Sequence, residues 1–337
     1  VSVFATGTGI GSWPGTSARQ AAEVVVGELG GSLAHLVELP GRGVGADLIG
    51  RAGALLVDIV LDTAPRGYRL AARPGAVSRR AVSLLGEDTD ALEEAWEIAG
   101  LRGSGQPVKL QAPGPLTLAA EVELANGHRA ITDPGAVRDL AASLGEGLKV
   151  HRADLSRRLD TSVVVQLDEP SLAAAVTGRL AGVTALSPVP AIDEAVATAL
   201  LDGCAETVGG EVLVHSCAAG LPWTVLQRSS IAAVSLDATA LGPADYDAIG
   251  AFVDAGRTVV LGLLPAVAPA RRPSVEELAA AAAAITDRIG FARSVLGERV
   301  GVSPVCGMAG ATAKWARTAI GLVGRAGAAL AQDPEAV

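Results

Sequence analysis

Eight short runs of aliphatic and β-branched residues, each followed by a longer stretch of helical period, limit what this chain can fold into. The runs lie at 7–12 (GTGIGS), 33–39 (LAHLVEL), 107–112 (PVKLQA), 162–168 (SVVVQLD), 211–216 (EVLVHS), 232–237 (AAVSLD), 258–264 (TVVLGLL) and 299–304 (RVGVSP). Helical stretches fall at 17–29, 47–61, 87–99, 134–158, 190–208, 243–255 and 274–296, with a last one at about 309–331. Alternation of this kind is the sequence form of βα units around a parallel sheet. Eight such units predict an α/β fold, a (β/α)8 TIM barrel. No linker or composition shift interrupts residues 1–337, so a single domain is expected. The interval 40–106 is long for one crossover and is expected to hold the helix at 47–61, an extra strand near Tyr68 to Ala72 and a further helix.

With 337 residues, 50% of them hydrophobic and 19% charged, the chain has material for a sizeable core. Its Ala-rich tract from Ala279 to Ile285 is flanked by Glu276, Glu277, Asp287 and Arg288 and is well short of the ~20 residues of a membrane span. No secretory signal is visible. A net charge of −9 without a Lys/Arg-rich run argues against a nucleic-acid partner. Three cysteines do not form a disulfide framework, and a reducing, cytoplasmic setting is expected. Neither G-x-G-x-x-G after the first strand nor G-x-x-x-x-G-K-[ST] occurs, which speaks against the nucleotide-binding α/β folds.

Barrel active sites lie at the C-terminal ends of the strands. The polar residues that fall there are Ser12, Glu38, Asp168 with Glu169, His215 with Cys217, Asp237, and Cys306. His215, Cys217, Asp237 and Cys306 are four plausible zinc ligands by type. Two apart on a strand, His215 and Cys217 point to one face, so a single segment supplies two ligands. Each residue also has a plainer reading. A carboxylate ending a strand, such as Asp237, often caps the next turn, and Asp168-Glu169-Pro170 fits a strand exit followed by a cap. Glu38 fits a solvated loop, Asp47 an N-cap, Cys204 the core, and Trp13 either rim packing or stacking on a flat donor. His35 alternates on an apolar strand and is expected to face the helices.

The strings GIGSWPGT, VVQLDEPSL, VHSC and SPVCGM, in this order from Ile10 to Gly307, resemble the catalytic-domain motifs of cobalamin-independent methionine synthase. The resemblance implies a (β/α)8 barrel holding Zn2+ that binds homocysteine, which accepts a methyl group to become methionine. It implies zinc ligands His215, Cys217 and Cys306, with Asp237 where the family usually has Glu. It also implies homocysteine contacts from Ser12, the backbone at Ile10, Glu38 and Asp168. A zinc-bound thiol is deprotonated, which suits nucleophilic attack on a methyl carbon.

The sequence departs from that family in places. Asp237 is one methylene shorter than Glu, and Ser303-Pro304-Val305-Cys306 replaces Asn-Pro-Asp-Cys. The segment after the seventh strand, LGLLPAVAPA, lacks the His that the family is thought to use to protonate the departing folate nitrogen. The family's additional N-terminal barrel is also missing, so a short core form is expected. Its methyl donor is then 5-methyltetrahydrofolate or a methylcorrinoid carried by a partner protein. The alternatives are methyl transfer to another thiol, a barrel of the uroporphyrinogen decarboxylase type, which needs basic residues and no zinc, and a non-catalytic zinc-binding subunit.

Overall fold

A computed structural model describes residues 1–184 and 187–337. After helix α1 (Ala18–Leu29) the chain runs through β1 (Ala34–His35), α2 (Leu48–Ala52), a hairpin of β2 (Val60–Ala64) and β3 (Gly67–Ala71), and the long α3 (Ala76–Ile98). Next come β4 (Val108–Pro113), α4 (Pro115–Glu121), β5 (Val122–Glu123), α5 (Pro134–Leu159), β6 (Val163–Asp168) and α6 (Leu172–Val176). The second half holds α7 (Glu194–Val208), β7 (Val212–Ser216), α8 (Trp223–Arg228), β8 (Ala233–Asp237), α9 (Pro243–Asp254) and β9 (Thr258–Leu264). It ends with α10 (Val275–Ile289), α11 (Ser294–Arg299), β10 (Val300–Pro304) and α12 (Ala313–Gln332).

Seven strands form one parallel sheet in the order β1-β4-β6-β7-β8-β9-β10. The sheet curls. Leu33, just before β1, meets Val164 of β6, Leu213 of β7, Ala233 of β8 and Val260 of β9 in one buried cluster with Phe4, which a flat sheet would keep apart. Outside the curl, helices pack on the other face in a larger apolar cluster running from Trp13 to Leu330.

The expected eighth strand at 7–12 is not a regular one. Its residues make isolated parallel bridges, Gly7 to Val302 of β10 and Thr8 to Leu33, with Ser12 bridging Glu38 further on. Hydrogen bonds reach both neighbours: Thr8 N to Val302 O at 3.0 Å, and Leu33 N to Gly7 O at 3.1 Å. Glycine placement explains the irregularity. Residues two apart on a strand share a face, yet a Cβ on Gly7 would strike the Val323 carbonyl of α12 at 2.3 Å while one on Gly9 would strike the His35 ring at 2.2 Å. His35 pairs in register with Lys109 on the concave face, so alternation breaks between Gly7 and Gly9. This also corrects the expectation that His35 faces the helices.

Two helix boundaries differ from expectation for local reasons. The predicted helix 47–61 ends at Ala52, because Gly53 follows and Val57, Ile59 and Val60 form a β-branched run that enters the hairpin. The predicted helix 274–296 is two, since Gly290 adopts a left-handed conformation (φ 97°) and closes α10. Elsewhere the caps are legible, as with Ser17 before α1, Asp133 before α5 and the Ser274/Glu277 capping box of α10.

Candidate metal centre

Parallel strands place the polar residues at one rim of the sheet. Asp168 ends β6 and pairs in register with His215 on β7, so both side chains stand on the same face. Cys217 follows β7 directly, and Cys306 follows β10. Ligand atoms of His215, Cys217 and Cys306 lie within 4.8 Å of one another. The two sulfurs are 2.7 Å apart. The Cys306 thiol is pushed down to about 4 because Cys217 hydrogen-bonds to it, aided by His215. Cys217 is pushed up by the same contact and by burial, so the two thiols do not ionise independently.

The His215 ring is oriented by its surroundings. Nδ1 sits 3.0 Å from the Ser235 hydroxyl on β8, and Nε2 is buried without a hydrogen-bond partner. A buried imidazole nitrogen is costly when unpaired. One nitrogen held and the other left open beside two sulfurs is the arrangement of a histidine ligand with its outer support. The donor set, one imidazole and two thiols, fits Zn2+.

A cavity of about 270 Å³ opens over this group, lined by Ile10, Ser12, Glu38 and Asp168 as well as by the His and both Cys. A larger groove of about 700 Å³ lies between α5 and α7 but is mostly apolar and is lined by none of these residues. The chemistry therefore belongs to the smaller cavity. Among the carboxylates lining this cavity, burial pushes the Glu38 carboxyl up, opposed by Arg51, and Oε1 of Glu38 has no partner. Asp168 is pushed up strongly by burial and by Glu38. The Ser12 loop and the Cys306 loop interlock: Met308 N donates to Ser12 O at 3.0 Å, and a Cβ on Gly307 would meet the Ser12 hydroxyl at 2.0 Å.

Asp237 stands apart from the group. Its carboxylate accepts from Thr239 N at 2.8 Å and Thr239 Oγ1 at 2.6 Å, capping the turn at Ala238–Ala240. Glu169 likewise serves the scaffold, accepting from Leu116 N, Thr117 N and Thr117 Oγ1 at the start of α4, and burial pushes its carboxyl up to about 7. Asp47 caps α2, Trp13 is buried in the core, and Cys204 is buried on α7.

The profile of the family described as "Cobalamin-independent synthase, Catalytic domain" matches residues 4–328. The chain belongs to this family. Among curated proteins no sequence matches it. Similar solved structures include a B12-independent methionine synthase from Shewanella sp. W3-18-1 in complex with selenomethionine, at 13% identity and a TM-score of 0.59, covering 99% of this chain and 100% of that one. Another is a putative vitamin-B12 independent methionine synthase from Listeria monocytogenes, at 14% identity and a TM-score of 0.54, covering 95% and 96%. At these identities the likeness speaks for the fold.

Several residues that build the site were not among the candidates the sequence offered, although Gln166 stands within the VVQLDEPSL string. Lys109, Gln166 and Ser235 support it from inside the curl, and Arg42 and Arg51 flank Asp88 behind Glu38. Their signal was present: Lys109 and Gln166 are polar residues inside otherwise apolar strands, where burial demands a partner.

Proposed function

We propose that the chain is a zinc-dependent methyltransferase that transfers a methyl group to the thiol of homocysteine, giving methionine. The observation that carries this reading is the unpartnered, buried Nε2 of His215 beside two cysteine sulfurs, under a cavity that two carboxylates, Glu38 and Asp168, also line. His215, Cys217 and Cys306 supply three ligands, which leaves a fourth position for a substrate sulfur, as catalytic zinc sites do. Zinc, when bound, would hold that sulfur as a thiolate at neutral pH. Glu38 and Asp168 accept hydrogen bonds from the α-ammonium, and the turn from Ile10 to Ser12 receives the α-carboxylate. The names of the similar structures, one of them with an amino acid bound, support the same substrate class.

The methyl donor is 5-methyltetrahydrofolate or a methylcorrinoid protein, and the chain favours the second. Leaving of a tertiary amine requires a proton, and the segment 265–274 after β9 contains no acid, only Arg271 and Arg272 among ionisable residues. We also read residues 1–337 as one closed (β/α)8 barrel. The hydrogen bonds from residues 7–8 to both edge strands and the continuous core from Trp13 to Leu330 support that reading. No helix among the described residues is long and apolar enough to cross a membrane. Two thiols kept reduced at the site suit the cytoplasm.

The test is the zinc content of the purified chain, followed by titration with homocysteine under X-ray absorption at the zinc edge. Stoichiometric zinc that exchanges one light-atom ligand for sulfur is expected. Absent zinc, or zinc unchanged by homocysteine, overturns the reading. Single-turnover assays with methylcobalamin and with methyltetrahydrofolate then separate the donors.

A further inference from the structure

Beneath the cavity lies a buried pair that the chemistry at the sulfur end does not use. Lys109 on β4 is fully buried, and so is Gln166 on β6. The Lys109 ammonium donates to the Gly9 carbonyl at 2.5 Å and to Gln166 Oε1. An ammonium has donors only, so the oxygen of the Gln166 amide must face it. The NH2 side of that amide then donates to Ile10 O at 2.8 Å and to Asp168 Oδ1 at 2.7 Å.

These bonds fall where the sheet offers none. Gly9 and Ile10 are the stretch at which the first segment loses its strand pairing, and their carbonyls are tied down by the two side chains instead. Gln166 holds Asp168 with the same amide. One buried pair thus fixes both walls of the cavity end assigned to the amino-acid group, while it makes no bond to His215, Cys217 or Cys306. A buried lysine is expensive unless it is paired. Here burial pulls its pKa down to about 7, and Asp168 and Glu38 oppose that shift.

We propose that Lys109, acting through Gln166, is a positioning residue for substrate selection, holding Ile10 and Asp168 so that the chain prefers a thiol bearing an α-ammonium over the same thiol without one. The inference rests on the reading of the cavity as a homocysteine site. It is tested by calorimetric titration of the zinc-loaded chain with homocysteine and with 4-mercaptobutyrate, which lacks only the amino group. The natural chain is expected to favour homocysteine. In Lys109→Met and in Gln166→Met that preference is expected to fall by about tenfold or more, as for loss of a charge-assisted bond. The double variant should fall no further than the worse single one, because the two residues act in series.

A preference within about twofold of the natural chain's in either folded variant overturns the proposal, as does equal weakening of both thiols or loss of zinc. If Lys109→Met does not fold, Gln166→Met decides by the same criterion. A natural chain that binds neither thiol, or both alike, defeats the homocysteine reading itself and the relay with it.

Discussion

Replacing Ser235 with Ala isolates the support of the proposed metal ligand His215 from the ligand itself. The Ser235 hydroxyl is 3.0 Å from His215 Nδ1, and the two residues are 1% and 3% exposed, so solvent is not at hand to replace the lost bond. Leaving Nδ1 unpaired should cost about 1–3 kcal/mol of folding stability. The larger consequence is orientational. With Nδ1 released, the His215 ring loses the bond to β8 that fixes its orientation, and loss of such outer support lowers metal affinity about 10–100-fold. At about 1.4 kcal/mol per decade this is roughly 1.4–2.8 kcal/mol. Equilibrium competition against a chromophoric zinc chelator measures it, and urea unfolding of the metal-free proteins measures the structural share separately. A variant that loses stability yet binds zinc within about twofold of the natural chain would refute the argument, since the contact would then be packing alone.

Asp237→Ala should keep stoichiometric zinc and lose about 1 kcal/mol with its cap, read by metal analysis and a thermal melt; loss of zinc would return Asp237 to the ligand set. Cys306→Ser, in contrast, should abolish tight zinc binding in the same analysis. Gly307→Ala should drive the Ser12 hydroxyl from its place, 2.0 Å from the new Cβ, and weaken homocysteine binding by calorimetry; unchanged affinity would remove Ser12 from the site. Lys109 has its pKa lowered from 10.5 to about 7 in the folded chain, so between those values the unfolded chain binds more protons and stability rises with pH. The urea midpoint of the natural chain, relative to that of Lys109→Met, should climb from pH 7 toward pH 10; a flat difference would show that burial does not lower the pKa of Lys109.

The order of strands and helices was legible because burial on both faces leaves continuous apolar runs, and β4, β6 and β9 fall on theirs. The first segment was not legible as irregular. Its alternation is broken by what crosses it, the α12 backbone at Gly7 and the His35 ring at Gly9, and neither neighbour is visible in the local sequence. The clustering of His215, Cys217 and Cys306 was legible through residue type, motif and their place at strand ends. Asp237 shows the limit of that reasoning. A carboxylate at a strand end satisfies a ligand pattern and a cap pattern alike, and only the position of Thr239 separates them.

The groups that line the cavity come from different parts of the chain, which makes the junction that closes it the demanding part of the design. The sulfurs follow β7 and β10, and the carboxylates are Glu38 and Asp168 at the end of β6, with the first loop beside them. β6 and β7 are neighbours, with Asp168 in register with His215, while β10 and the first loop join them because the sheet curls until Gly7 and Thr8 touch both β10 and Leu33 before β1. A regular strand there would carry its own ladder bonds but would leave no room for His35 on the concave face. Breaking the strand frees the carbonyls of Gly9 and Ile10, and a buried free carbonyl needs a donor. Lys109 and Gln166 are those donors. The buried charge in the sheet is therefore a consequence of how the curl is joined, and the same bonds that mend the junction set the wall against which an amino-acid substrate would rest.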